Sequence, residues 1–130
     1  MPYSIEGKRR SLKVEIDENK GSLLFAGVSL PENTNAFFEP ILEVVESYLN
    51  TPKEQTTVDF YIEYLNTSSA LYLRRIVMAC EAKLNNDQLT VNWHFEADDD
   101  DIREFGVDFK SIFKNVDINL IEISQNPYGS

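Results

Sequence analysis

The chain reads as one α/β domain: a mostly parallel or mixed β-sheet with an N-terminal hairpin and packed helices, in the order β-β-α-β-α-β-α-β. Three observations predict this. Apolar residues alternate with polar ones in several short runs, longer runs of helical period separate the later strands, and turn or cap residues mark each change of period. Strands separated by helices imply right-handed crossovers and parallel neighbours, whereas two strands joined by a tight turn pair antiparallel. The 130 residues suit a single domain, with its core over about residues 11–123 and a polar tail over 124–130.

Residues 11–17 ("SLKVEID") set Leu12, Val14 and Ile16 against Lys13 and Glu15, a half-buried strand. "ENKG" supplies a turn, and residues 22–28 resume as a more apolar strand. From residue 29 to 50 the period becomes helical, with Phe38, Ile41, Val45 and Leu49 on one face and Asn33 or Thr34 as the cap. Pro40 either kinks this helix or marks its true first turn. Residues 57–65 alternate strictly, with Val58, Phe60, Ile62 and Tyr64 inward. A second helix over 68–84 buries Leu73, Ile76, Val77, Cys80 and Leu84. Residues 89–97 form a strand with Leu89, Val91, Trp93 and Phe95 inward. An acidic helix start with Ile102, Phe105, Phe109 and Ile112 follows, and "VDINLIEI" closes the fold.

The formal net charge of -10 disfavours nucleic acid and anionic membranes, because a polyanion neither attracts this protein nor releases counterions to it; a basic protein partner fits the charge better. The single cysteine, Cys80, lies in an apolar helical stripe, which reads as a small buried hydrophobe in a reducing cytoplasm. No apolar run is long enough to span a membrane and the N-terminus has no signal-peptide pattern, so a cytoplasmic location is expected.

In an open parallel sheet the loops leaving the C-terminal strand ends gather on one edge, where sites form. Here they are residues 29–34, 65–69 and 96–101. The third, with Asp98, Asp99, Asp100 and Asp101 and the outward-facing His94, resembles a metal site only superficially. Consecutive acidic side chains diverge, and they suit a helix N-terminus. No glycine-rich phosphate loop or G-x-S-x-G nucleophile is present, so neither an enzyme nor a cofactor is expected.

The second loop, "LNTSS", is the informative one. Asn66, Thr67 or Ser68 can cap the helix, but one cap suffices and four small polar residues follow the apolar end of a strand. The alternative is that a hydroxyl accepts phosphate, at a helix N-terminus that tolerates added negative charge. Arg74 and Arg75 lie two turns further on and pair with surface carboxylates in this reading. Leu71 falls off the core stripe, as an exposed docking residue or a satellite core contact.

The element order and the hydroxyl loop resemble the STAS domains of anti-sigma-factor antagonists. "PENT" (31–34) with "YLNTSS" (64–69), and "LTVNWHFEADDDDIREFG" (89–106), resemble more closely the SiaC family of regulatory phosphoproteins. The resemblance implies a STAS-like fold and a bacterial switch in which Thr67 is the phosphoacceptor. A GHKL-type Ser/Thr kinase adds the phosphate, a PP2C-type phosphatase removes it, and the unmodified form binds a GGDEF diguanylate cyclase, linking the switch to cyclic-di-GMP signalling and biofilm behaviour. Leu65, Asn66, Ser68 and Ser69 then shape the switch loop, and Glu32, Asn33 and Leu71 form the expected partner surface. Pro40 and the polar tail depart from the family pattern. The rival readings are a constitutive protein-binding module, an anti-sigma-factor antagonist with another effector, and a small-molecule binder, the last disfavoured by the missing glycine-rich loop.

Overall fold

The computed structural model describes residues 2–129. Its strands are β1 (Tyr3–Ile5), β2 (Lys13–Asp17), β3 (Ser22–Ser29), β4 (Thr56–Leu65), β5 (Leu89–Glu96) and β6 (Ile118–Ile123). The helices are α1 (Thr34–Asn50), α2 (Thr67–Lys83) and α3 (Asp100–Ile112), with a 3-10 turn at Asn86–Gln88. The six strands form one sheet in chain order. β1, β2 and β3 are antiparallel neighbours, and β3 to β6 are parallel.

Right-handed crossovers that always advance to the next strand place every helix on the same face of the sheet. The packing agrees: Phe109 of α3 meets both Phe60 of β4 and Trp93 of β5, while Phe38 of α1 stacks on Tyr72 of α2. The core is therefore a layer of inward strand residues, Phe25, Val58, Phe60, Val91 and Trp93, under a layer of helix residues, Phe38, Ile41, Leu73, Ile76 and Phe109. The opposite face of the sheet carries no helix and presents the alternate residues, Asp59, Tyr61, Asn92 and His94.

Three expectations are corrected, and one strand is added to those expected. The segment at residues 3–5 is a strand; it is too short to show a period, and its pairing with β2 (Tyr3↔Ile16) makes it one. Tyr64 is 57% exposed rather than inward, because β4 outruns the β5 ladder, which ends at Phe60↔Trp93, and its register against β3 shifts between Gly27 and Val28. Ile112 is exposed and Phe113 takes the buried position, since the chain leaves the helical period at that point. Pro40 lies well inside α1, which continues through it, so the proline does not mark the first turn.

The segment after β6 also folds back rather than trailing as a free tail. Asn126 is buried; its Nδ2 donates to the Tyr61 carbonyl (3.0 Å) where the β4–β5 ladder has ended, and its backbone N–H donates to Glu96 Oε2 (2.7 Å). Tyr128 then sets its edge against the Tyr61 ring at 5.0 Å between centroids.

Candidate functional site

The C-terminal ends of β3 and β4 are tied together, Asn66 N–H donating to the Ser29 carbonyl at 3.1 Å. α2 begins at once, so Thr67, Ser68 and Ser69 form its first turn rather than a loop. Asn66 is the cap: its backbone is extended (φ -88, ψ 172) and its Oδ1 accepts from Ser69 N–H at 2.9 Å. The cap role left open among three residues thus falls to Asn66. Asn33 does the same for α1, its Oδ1 accepting from Ala36 N–H at 3.1 Å. The asparagines of "PEN" and "LN" are a matched pair of helix caps at one sheet edge.

The three hydroxyls of the turn have different surroundings. Ser69 is fully buried, accepts from Ser29 Oγ at 2.7 Å and donates to the Ser29 carbonyl at 3.3 Å. Ser68 donates to Asn66 Oδ1 at 3.3 Å and shares a 2.9 Å hydrogen bond with Thr34 Oγ1, which ties the first turns of α1 and α2 together. Thr67 is exposed, and it is the one of the three that makes no side-chain hydrogen bond among the described residues. This hydroxyl is free at the surface, whereas reaching that of Ser69 would require opening the core.

Of the other expected contact residues, Glu32 is exposed, Leu65 is half-buried against the core, and Leu71 is 52% exposed, which excludes the satellite core contact. Leu71 shares the outer face of α2 with Arg75 and the exposed Met78, at helical spacing. Beside them Tyr72 OH lies 2.6 Å from Asn35 Oδ1 and 2.7 Å from Glu39 Oε2, and Arg75 pairs with Glu39 at 3.0 Å. The Tyr72 hydrogen bond, then the Arg75 one, holds the Glu39 carboxyl below its ordinary pKa. Sequence reasoning missed Ser29 and Thr34 as partners of the hydroxyl turn. Their only local signal is a small polar residue at the end of an apolar strand and at a helix start.

His94 points away from the helices, on the outward face expected of it, and is nonetheless buried there. Its ring stacks on Tyr61 (3.8 Å between centroids) and its Nε2 lies 3.1 Å from Asp59 Oδ1. Burial raises the Asp59 pKa, but hydrogen bonds from His94 and Asn92 and the charge on His94 outweigh it, and the carboxyl sits below its ordinary value. Asp99 caps α3, accepting from Ile102 N–H at 3.1 Å, with Asp100 and Asp101 in the first turn. Among the described residues no three His, Cys, Asp or Glu side chains converge as metal ligands, and no helix is long and apolar enough to cross a membrane.

The chain is similar in sequence or in fold to proteins of Pseudomonas aeruginosa. A protein of Pseudomonas aeruginosa (strain UCBPP-PA14) with no described function is 26% identical over 107 residues, covering 82% of this chain and 85% of its own length. A chain in the crystal structure of the diguanylate cyclase SiaD in complex with its activator SiaC, from Pseudomonas aeruginosa, superposes with a TM-score of 0.82 at 22% identity, covering 93% of this chain and 99% of that one. SiaC of the same organism gives a TM-score of 0.81 at 21% identity, over 95% and 99% of the two chains. The model of the SiaC family of regulatory phosphoproteins matches residues 5–123, and the chain belongs to that family.

Proposed function

We propose that this protein is a non-enzymatic, cytoplasmic partner-switching phosphoprotein. A GHKL-type kinase phosphorylates Thr67 reversibly, a PP2C-type phosphatase reverses the step, and the unphosphorylated form binds a GGDEF diguanylate cyclase. The observation that carries the reading is the state of Thr67: it is exposed and uncommitted on the first turn of α2, while Asn66, Ser68 and Ser69 are each held by structural hydrogen bonds. Family membership and the fold shared with a cyclase activator support the choice of effector.

A phosphate on Thr67 brings about -1.5 to -2 charge beside free N–H groups at a helix N-terminus, so the domain keeps its fold while its partner surface changes sign locally. Co-expression with the cognate kinase should yield phosphate on the peptide spanning residues 65–69, absent in Thr67→Ala. Thr67→Asp should weaken cyclase binding at least tenfold while Thr67→Ala binds as wild type. Should the peptide never be modified, and should Thr67→Asp bind unchanged, the protein is a constitutive binding module instead.

A further inference from the structure

The net charge of -10 is not spread evenly over the molecule. Lys8, Arg9 and Arg10 follow one another on the exposed loop between β1 and β2. Because β2 runs antiparallel to β3, that loop lies on the same sheet edge as Thr67: the Leu30 N–H donates to the Arg10 carbonyl at 2.8 Å, and the loop closes on itself through Lys8 and Ser11. None of the three cations has a carboxylate partner among the described residues, whose ion pairs are Lys13–Glu15, Arg75–Glu39 and His94–Asp59. In a protein with 22 acidic residues and 12 Lys and Arg, three consecutive exposed cations make a local field opposite in sign to the molecule's net charge.

These cations wall one side of an open groove of about 490 Å³ whose apolar lining includes Leu30, Pro31 and Phe37, and which also takes in Glu32 and Asn33. Asn33 caps α1, and its neighbour Thr34 is hydrogen-bonded to Ser68, one residue from Thr67. The groove therefore adjoins the switch turn.

We infer that this groove is the docking site for an acidic, apolar-centred segment of the protein partner: Asp or Glu side chains meet Lys8, Arg9 and Arg10, and a Leu or Phe enters over Leu30, Pro31 and Phe37. The inference builds on the proposed switch and specifies the chemistry of its partner. It reverses locally the basic partner that net charge alone calls for, because recognition follows the field at the contact rather than the total. It also supplies a physical reason for the switch's sign. A phosphate on Thr67 adds negative charge at the edge of a groove that recruits negative charge, so it repels the segment and competes for the same cations.

The test uses the full chain and a short fluorescein-labelled peptide carrying Asp and Glu around a Leu-Phe pair, with a Lys/Arg counterpart as control. The acidic peptide should bind with an affinity that falls as salt rises, and should shift the backbone amide resonances of residues 8–10, 30 and 32–37. The triple charge reversal K8E/R9E/R10E, on an exposed loop, should melt as wild type and bind the peptide about tenfold more weakly. Equal binding of both peptides, no binding, amide shifts elsewhere, or an unchanged affinity in the triple variant would each overturn the site. Loss of a wild-type self-association in the triple variant would also overturn it, identifying a second copy as the occupant. Phosphate on Thr67 is read separately by mass: peptide binding without modification sinks the switch and keeps the groove, and modification without peptide binding does the reverse.

Discussion

Asn66 and Thr67 are adjacent, both small and polar, and differ in everything that decides their roles. Asn66 accepts from Ser69 N–H and Ser68 Oγ, whereas the Thr67 side chain is bound to nothing among the described residues. Asn66→Ala should therefore lower the unfolding free energy by about 1 kcal/mol, and Thr67→Ala should change it by less than about 0.5 kcal/mol. Chemical denaturation of the two variants checks this; a destabilised Thr67→Ala would return the capping role to the threonine. Ser69 is a different case again. It exchanges hydrogen bonds with Ser29 in the core, so its hydroxyl is structural. Cys80 is structural too, its thiol pushed up to about 12 by burial and so protonated at neutral pH.

At the scale of the element, α3 shows how closely a helix can approach the sheet. A Cβ at Gly106 would overlap Trp93 Cδ1 and come within 2.7 Å of its Nε1, and Trp93 is fully buried, with Nε1 already donating to the Ile102 carbonyl. The indole cannot swing away as an exposed chain end would. Gly106→Ala should cost about 1–3 kcal/mol despite the gain in helix propensity, measurable as a lowered denaturation midpoint with an unchanged slope. α1 and α2 behave as a unit, joined by the Thr34–Ser68 hydrogen bond at one end and the Tyr72–Glu39–Arg75 cluster along their outer face. A charge added at Thr67 thus acts on a surface that both helices build.

Across the whole molecule, the carboxylates set the response to acid. Asp59 and Glu39 both titrate below their ordinary values when folded, so each favours the folded state fully above its unfolded pKa, and that contribution is lost as pH falls through the folded one. Stability should hold near neutrality and decline below about pH 4, and Asp59→Asn should flatten that decline, as read by denaturation at a series of pH values. The order of the main elements, the inward faces of β2, of β5 and of β4 as far as Ile62, and the placing of the hydroxyl turn at the C-terminal edge of the sheet were legible in the residues themselves. All of these rest on local periodicity and on the handedness of crossovers, which neighbouring residues encode. What only the tertiary structure decided are relations between distant segments. Ser29 reaches Ser69 across forty positions, Asn126 closes the end of β4 sixty-five positions away, and the loop at residues 8–10 arrives beside Asn33. A hydroxyl is structural or free, and a charge paired or unpaired, according to neighbours that the sheet brings together, and no pattern along the chain specifies those.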